Sequence, residues 1–378
     1  MKSIQFVACA ALLGSTLMPM AASARDSITA ATWLPPQHQY SRYLYTYWGE
    51  RVEHHSGGAL KANVELGSAR VTATGNLTEI ADGLADVSGH FAQYTPSDLP
   101  VSNAVEELGM TFDDPRVIIA AATEFNIKDP LLSAEWARHG VVFAGSYATN
   151  HYKLICNTPI RNLDELKGAK LRLPGRAPAE WANSAGAATV SFNTNEQYGA
   201  LDKGALTCTT TTAADAYVRK LYEVATHITD MPVTLFWAGL GHGYNPQVWA
   251  ELTEDQRRAL LYAEADAMAA LIVDGTLLEE KEAEAKLKEN GVTFHEPQED
   301  LLGSIDAFRQ AQPGSAVSIV QDTYNIAEAE ALLSRFQDTV AKWERLLKEV
   351  PEEDSAALAD LIRTEIYDTL DLATYGEN

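Results

Sequence analysis

The feature that most constrains this chain is an alternation of β-rich and helical runs that occurs twice. Residues 27–33 alternate with β character and read as a strand. Residues 37–55 then place Tyr40, Tyr43, Leu44, Tyr47, Trp48 and Val52 on one helical face, and Ser56-Gly57-Gly58 ends the run. A strand over 60–66, a short helix over 76–83 and a strand over 85–88 complete a β-α-β-α-β set. The second set begins near Thr149. It comprises a strand at 152–156, one helical turn at 162–166 capped by Asn162, and a strand at 170–173 stopped by Pro174-Gly175. Helices over 177–185 and 196–203 and strands over 189–192 and 205–209 follow. Such alternation builds α/β layers around largely parallel sheets, and two sets predict two lobes with a cleft between them. Residues 253–289 read as one long helix with a charged, solvated face, 291–294 as a short strand, and 326–373 as a helical tail broken at Pro351.

The N-terminus bears on the compartment. Lys2, an uncharged and mostly apolar stretch over 4–20, and the small residues Ala22-Ser23-Ala24 make residues 1–24 a secretory signal peptide, predicting export to the periplasm. The apolar stretch is short for a bilayer span, and no later segment holds 18 consecutive apolar residues, so stable membrane insertion is not expected. The formal net charge of −23 makes nucleic acid and anionic lipid poor partners, and an anionic ligand would need a local positive site. Cys9 falls in the leader, leaving Cys156 and Cys208, which an exported chain can bridge or carry as two buried thiols.

Catalytic motifs are sparse. The chain has no G-x-S-x-G elbow, no P-loop and no H-E-x-x-H. Gly239, Gly241 and Gly243 form G-x-G-x-G without the continuation of a dinucleotide fingerprint, and read as a flexible loop leading into a strand. The nine histidines are scattered, and the adjacent His54 and His55 cannot share a helix face, so neither a metal site nor a cofactor is expected. Arg172 stands out. It lies in the β run Lys170-Leu171-Arg172-Leu173 at a strand end, where open α/β sheets present ligand crevices. A guanidinium there offers a rigid fork for a carboxylate, although an edge-strand surface arginine fits the pattern too. Trp33, Tyr94, Tyr147, Tyr152, Trp237 and Tyr244 sit outside the helical runs, where aromatics either wall small-molecule pockets or pack between lobes.

The run Lys167-Gly168-Ala169-Lys170-Leu171-Arg172-Leu173-Pro174 resembles a segment of the substrate-binding subunits of TRAP transporters, the DctP family. The stretch from Glu196 through Tyr198, Ala200 and Leu201 to Gly204, the turn from Asn157 to Leu166, and Gly83-Leu84-Ala85-Asp86 are similar to further family segments, so the likeness runs from Ile28 to about Leu347. The resemblance implies a type II periplasmic binding fold, with two α/β lobes joined by hinge strands and a long lobe-spanning helix. Lobe I would hold residues 25–149 plus about 240–283, lobe II 150–239 plus about 284–350, and 351–378 would form a C-terminal helical tail. It also implies a closed form that docks on TRAP membrane permease subunits, and it puts the family's carboxylate-pairing arginine at Arg172.

Several positions depart from the family pattern. A second arginine of some relatives falls here on Tyr152, and a ligand-reaching asparagine on Thr211. Arg176, one helical turn past Arg172, is a candidate to restore the charge. Trp237 lies in a pocket loop of the family, and Trp33, His38, His90 and Phe91 fall where the first lobe faces the cleft. With a cation missing, the expected ligand is a small organic monocarboxylate, with a zwitterion still open because tryptophan faces attract cations. Two other readings stand beside transport. One is a loaded binding protein sensed by a kinase; the other is an exported cleft enzyme with His38 or His90 as base.

Overall fold

The computed structural model describes residues 25–377; the predicted signal peptide lies outside them. The strands in chain order are β1 (Ser27–Thr32), β2 (Lys61–Leu66), β3 (Val87–His90), β4 (Val142–His151), β5 (Lys153–Cys156), β6 (Lys170–Arg172), β7 (Ala188–Thr189), β8 (Cys208–Thr211), β9 (His227–Thr229), β10 (Leu235–Tyr244) and β11 (Thr293–His295). They form two sheets, ordered β2-β1-β3-β10-β4 and β11-β9-β5-β8-β6-β7. In the first, β1 runs parallel to β2 and β3 while β10 is antiparallel to β3 and β4. In the second, β6 is parallel to β7 and β8, and β5 is antiparallel to β8 and β9. The two-lobed α/β architecture is therefore present, one sheet per lobe.

Two backbone crossings join the lobes. β4 leaves the first sheet and, after Tyr152, continues as β5 in the second. The return path enters the first sheet as β10. Where they pass, Tyr152 N donates to Thr234 O at 2.8 Å and Val233 N to Tyr152 O at 2.9 Å. The glycine run expected as a flexible loop lies inside β10 and is buried. Close approach is what these glycines provide. A Cβ at Gly241 would stand 2.5 Å from Ser146 O, and one at Gly239 would stand 2.9 Å from the Trp136 ring.

The long helix is present in three segments, helical over Glu254–Ala270, π-helical over Leu271–Leu278 and helical again over Glu279–Glu289. Thr253 starts it with a capping box to Gln256. Its first segment packs on Trp48–His55 of the first lobe, its last on Ala213–Val218 of the second. A second crossing helix, Glu299–Tyr324, has no counterpart in the sequence reading. Leu301 and Ile305 pack in the second lobe, while Ala316 and Val320 join the core of the first. Pro313 and the mostly exposed surface of this helix hide its period. Helix Pro115–Lys128 was also missed, because it is buried almost all round and so has no polar face to reveal it.

Cys156 and Cys208 are bonded as a disulfide across the paired strands β5 and β8. Closing a loop over a sequence separation of 52 residues removes unfolded-state entropy worth about 4 kcal/mol in the chain-entropy model. The double variant Cys156→Ser/Cys208→Ser is expected to keep the fold and lose about 2–4 kcal/mol in urea unfolding monitored by circular dichroism. An unchanged unfolding midpoint would contradict a stabilising role.

Candidate functional site

The site begins with the second sheet. β6 is a three-residue strand whose Leu171 is fully buried, and Pro174-Gly175 stops it so that helix Arg176–Ser184 follows. Arg172, the last residue of β6, is paired in register with Thr209 of β8 and is 4% exposed. Its Nε donates to Phe192 O at 2.9 Å. Among the described residues, Nη1 and Nη2 make no hydrogen bond and no carboxylate pairs with them. Burying a cation without an anion is costly, and a fork of this geometry matches the two oxygens of a carboxylate.

Arg172 lines a narrow cavity of about 20 Å³ between the lobes. Helix and loop residues His38, Gln39, Phe91 and Tyr94 line it from the first lobe, together with Tyr147 and Thr149 of β4. Thr194, Gln197, Thr211, Thr212, Asp215 and Arg219 line it from the second lobe, and Tyr152 and Phe236 from the crossings. Phe91 stacks on Tyr147 with centroids 5.4 Å apart, and Tyr152 on Phe236 at 5.6 Å. Burial pushes the Tyr147 and Tyr152 phenols up, so both stay neutral donors. Neither hydroxyl has a hydrogen-bond partner among the described residues, and both are buried side chains at the cavity wall.

A charged group faces this wall. Asp215 Oδ2 accepts from Thr211 Oγ1 at 2.6 Å and from Arg219 Nη1 at 2.7 Å. Arg219 also donates to Gln197 Oε1 at 3.1 Å and to the Thr194 carbonyl. Across the cleft, His38 Nδ1 accepts from Tyr40 N at 3.1 Å, which leaves the ring proton on Nε2, 3.3 Å from Asp215 Oδ1. Burial pulls His38 down to about 4, against the opposing pull of Asp215, so the ring is neutral. Burial opposes the charge of Asp215, but the Arg219 charge and the hydrogen bonds from Thr211 and Arg219 outweigh it and hold the carboxyl below its ordinary range.

Of the residues expected at the site, Arg172, His38, Phe91, Tyr147, Tyr152 and Thr211 converge on this cavity. Four do not. Trp33 lies behind it, packed on Phe91 and Tyr94 at 5.9 and 6.0 Å. His90 is fully buried, bonds Thr95 Oγ1 at 2.7 Å, and is pulled down to about 3 by burial. Trp237 stacks on Phe336 at 5.2 Å and lines a neighbouring cavity. Arg176 is spoken for, since Glu107 pairs with its Nε at 2.7 Å and Nη2 at 2.5 Å, and Glu180 pairs with Nη1. The second cation at the cavity is Arg219, which the sequence reading missed along with Gln39, Thr149, Thr194, Gln197, Thr212, Asp215 and Phe236. One signal was available: Thr212 and Asp215 are spaced as an N-cap and its third helical residue, and Asp215 and Arg219 as an i,i+4 ion pair.

A two-lobed α/β molecule with a narrow cavity between its lobes at the crossing strands has the architecture of a cleft-type binding protein. Residues 30–312 match the model of bacterial extracellular solute-binding protein family 7 (DctP), and the chain belongs to that family. A curated relative, a solute-binding protein of Albidiferax ferrireducens, is 24% identical over 238 residues, which span 59% of this chain and 65% of the relative. Among solved structures, a TRAP periplasmic solute-binding protein from Bordetella bronchiseptica with bound mandelate superposes with a TM-score of 0.71 at 20% identity, over 84% of this chain and 99% of the other. A marine metagenome TRAP solute-binding protein described as specific for aromatic acids, in complex with 3-hydroxybenzoate, gives 0.73 at 18% identity, over 85% and 100%. One from Rhodoferax ferrireducens, with copurified benzoate, gives 0.72 at 15% identity, over 85% and 99%. The fold is thus that of the type II periplasmic binding proteins.

The helix that carries Asp215 and Arg219 is anchored by Glu280 of the long helix, whose carboxylate accepts from Ala213 N at 2.8 Å and Ala214 N at 2.9 Å. Burial pushes Glu280 up to about 7 against the pull of those two N–H groups. The folded protein therefore holds a proton here that the unfolded chain, with a carboxyl near 4.5, releases earlier. Stability from this group is present below the unfolded value and declines as pH rises through about 7. Thermal midpoints of wild type and Glu280→Gln between about pH 5 and pH 8 check it. Wild type minus variant is expected to fall as pH rises, and a constant difference would contradict the assignment.

Proposed function

We propose that this chain is the extracytoplasmic solute-binding component of a TRAP-type transporter. In this reading it captures a small organic monocarboxylate in the periplasm and delivers it to the membrane permease subunits. The observation that carries the reading is Arg172, whose buried guanidinium has two unpaired nitrogens at a cavity between the lobes. A carboxylate there takes two parallel charge-assisted hydrogen bonds, strengthened where the lobes exclude water. The Tyr147 and Tyr152 hydroxyls are further neutral donors, and the stacked aromatic pairs supply flat apolar walls for the rest of the ligand. The benzoate, 3-hydroxybenzoate and mandelate held by the solved proteins of this fold are small acids of that kind.

Capture is a population shift. First-lobe residues Gln39 and Phe91 line the cavity opposite second-lobe Arg172, so a ligand spanning both favours the closed arrangement through its contacts with each. The competing enzyme reading needs a free base in the cleft. His38 offers none, because Nδ1 accepts from Tyr40 and Nε2 faces Asp215, and His90 lies outside the cavity.

Calorimetry on ligand-free protein with a panel of small organic acids, chosen first by thermal shift, tests the reading. Arg172→Ala is expected to lower the affinity of the best acid by about 100-fold or more while preserving the unfolding midpoint of the unliganded protein. Unchanged affinity would overturn the Arg172 assignment.

A further inference from the structure

Asp215 is buried (7% exposed) in the wall of the same cavity. Its two oxygens are unequally used. Oδ2 is saturated by Thr211 and Arg219, while Oδ1 is buried and has no hydrogen bond, with His38 Nε2 at 3.3 Å as its near neighbour. A buried carboxylate oxygen whose near donor, His38 Nε2, stands outside hydrogen-bond geometry is costly to maintain, and a better-placed donor would relieve it. The cavity therefore presents two opposite demands: an anion for the Nη groups of Arg172 and a hydrogen-bond donor for Oδ1 of Asp215.

The charge balance narrows the donor. Arg172 and Arg219 contribute two positive charges and Asp215 one negative. His38 contributes none, because its Nδ1 accepts a backbone N–H. The lining carries one net positive charge, which a ligand of one net negative charge neutralises. A dicarboxylate would leave an excess anion facing Asp215. A zwitterion would leave the positive charge unmatched, and its ammonium would compete with Arg219 for a carboxylate already paired at 2.7 Å.

We infer that Asp215 is a specificity-determining residue that accepts a hydrogen bond from a ligand hydroxyl, so that the site selects hydroxylated monocarboxylates over their deoxy, amino and dicarboxylate counterparts. The inference rests on the carboxylate reading of Arg172 and goes beyond it by assigning the second functional group of the ligand. No residue of the family pattern in the sequence pointed to it, since Asp215 lies four residues beyond Thr211, on the following helix.

The test is isothermal calorimetry on unfolded-and-refolded, ligand-free full-length mature protein. The probes are mandelate with phenylacetate, 3-hydroxybenzoate with benzoate, lactate with propionate and alanine, and malate as a dicarboxylate. In wild type the hydroxylated member of the pair that binds is expected to be tighter by about 10-fold or more. In Asp215→Asn that ratio is expected to fall toward one, and malate binding is expected to strengthen because Arg219 loses its counter-ion. Hydroxylated and deoxy acids binding wild type alike overturns the inference without any variant, as does a ratio that survives in Asp215→Asn. Those outcomes leave the Arg172 reading standing if Arg172→Ala still abolishes binding of the deoxy acid. Failure of every acid to bind wild type overturns both.

Discussion

The structure depends on one unpaired charge. The Arg172 side chain, at the end of β6, makes a single hydrogen bond, from Nε to Phe192 O, and the residue is 4% exposed. Three other buried or partly buried cations among the described residues are matched. Arg219 has Asp215, Arg116 has Asp114, and Lys153 has Asp230 and Glu284. An acidic protein with a net charge of −23 has carboxylates in abundance, yet none pairs with this guanidinium among the described residues. An uncompensated buried charge is among the costlier features a fold can carry, and this one sits where the two lobes meet over a cavity. The proposed binding site would account for that placement, with the missing counter-ion brought by the ligand.

The surroundings of Arg172 follow from the same requirement. The lobes touch through contacts that can form only when they come together. Tyr94 Oη meets Thr194 Oγ1 at 3.0 Å, His38 faces Asp215, and Glu107 of the first lobe takes Arg176 of the second. Such polar contacts are individually modest and sensitive to geometry, which suits a closure that must be biased by a ligand and then reversed. The continuous backbone crossings by β4 and β10, with their tightly packed glycines, keep the lobes in register throughout.

Much of the fold was legible in the sequence, and the reason is local. The β-α alternation, the Asn162 and Thr253 caps and the Pro174-Gly175 stop are short-range signals that need no partner to be read. What escaped depends on tertiary context. β4 and β10 are buried along almost their whole length, so they lack the polar alternation of a half-buried strand, and the glycines of β10 imitate a loop. The site divided in the same way. Arg172, Tyr147 and Tyr152 were visible as odd residues at strand ends, and His38 and Phe91 only through the family resemblance. Asp215 and Arg219 looked like an ordinary helical ion pair, and only their burial against His38 of the other lobe gives them a place in the cavity. Arg176 shows the converse error: adjacency to Arg172 in sequence suggested a shared role, but its side chain turns to Glu107 and Glu180.

The central claim is that the counter-ion of Arg172 is a carboxylate brought by the ligand. A crystal structure of the protein with the acid it retains through native purification tests this most directly. The account predicts a small organic acid in the interlobe cavity, with its carboxylate oxygens within hydrogen-bond distance of Nη1 and Nη2 of Arg172. A ligand whose anionic group lies elsewhere in the cavity, or an Arg172 paired with a protein carboxylate, would contradict it.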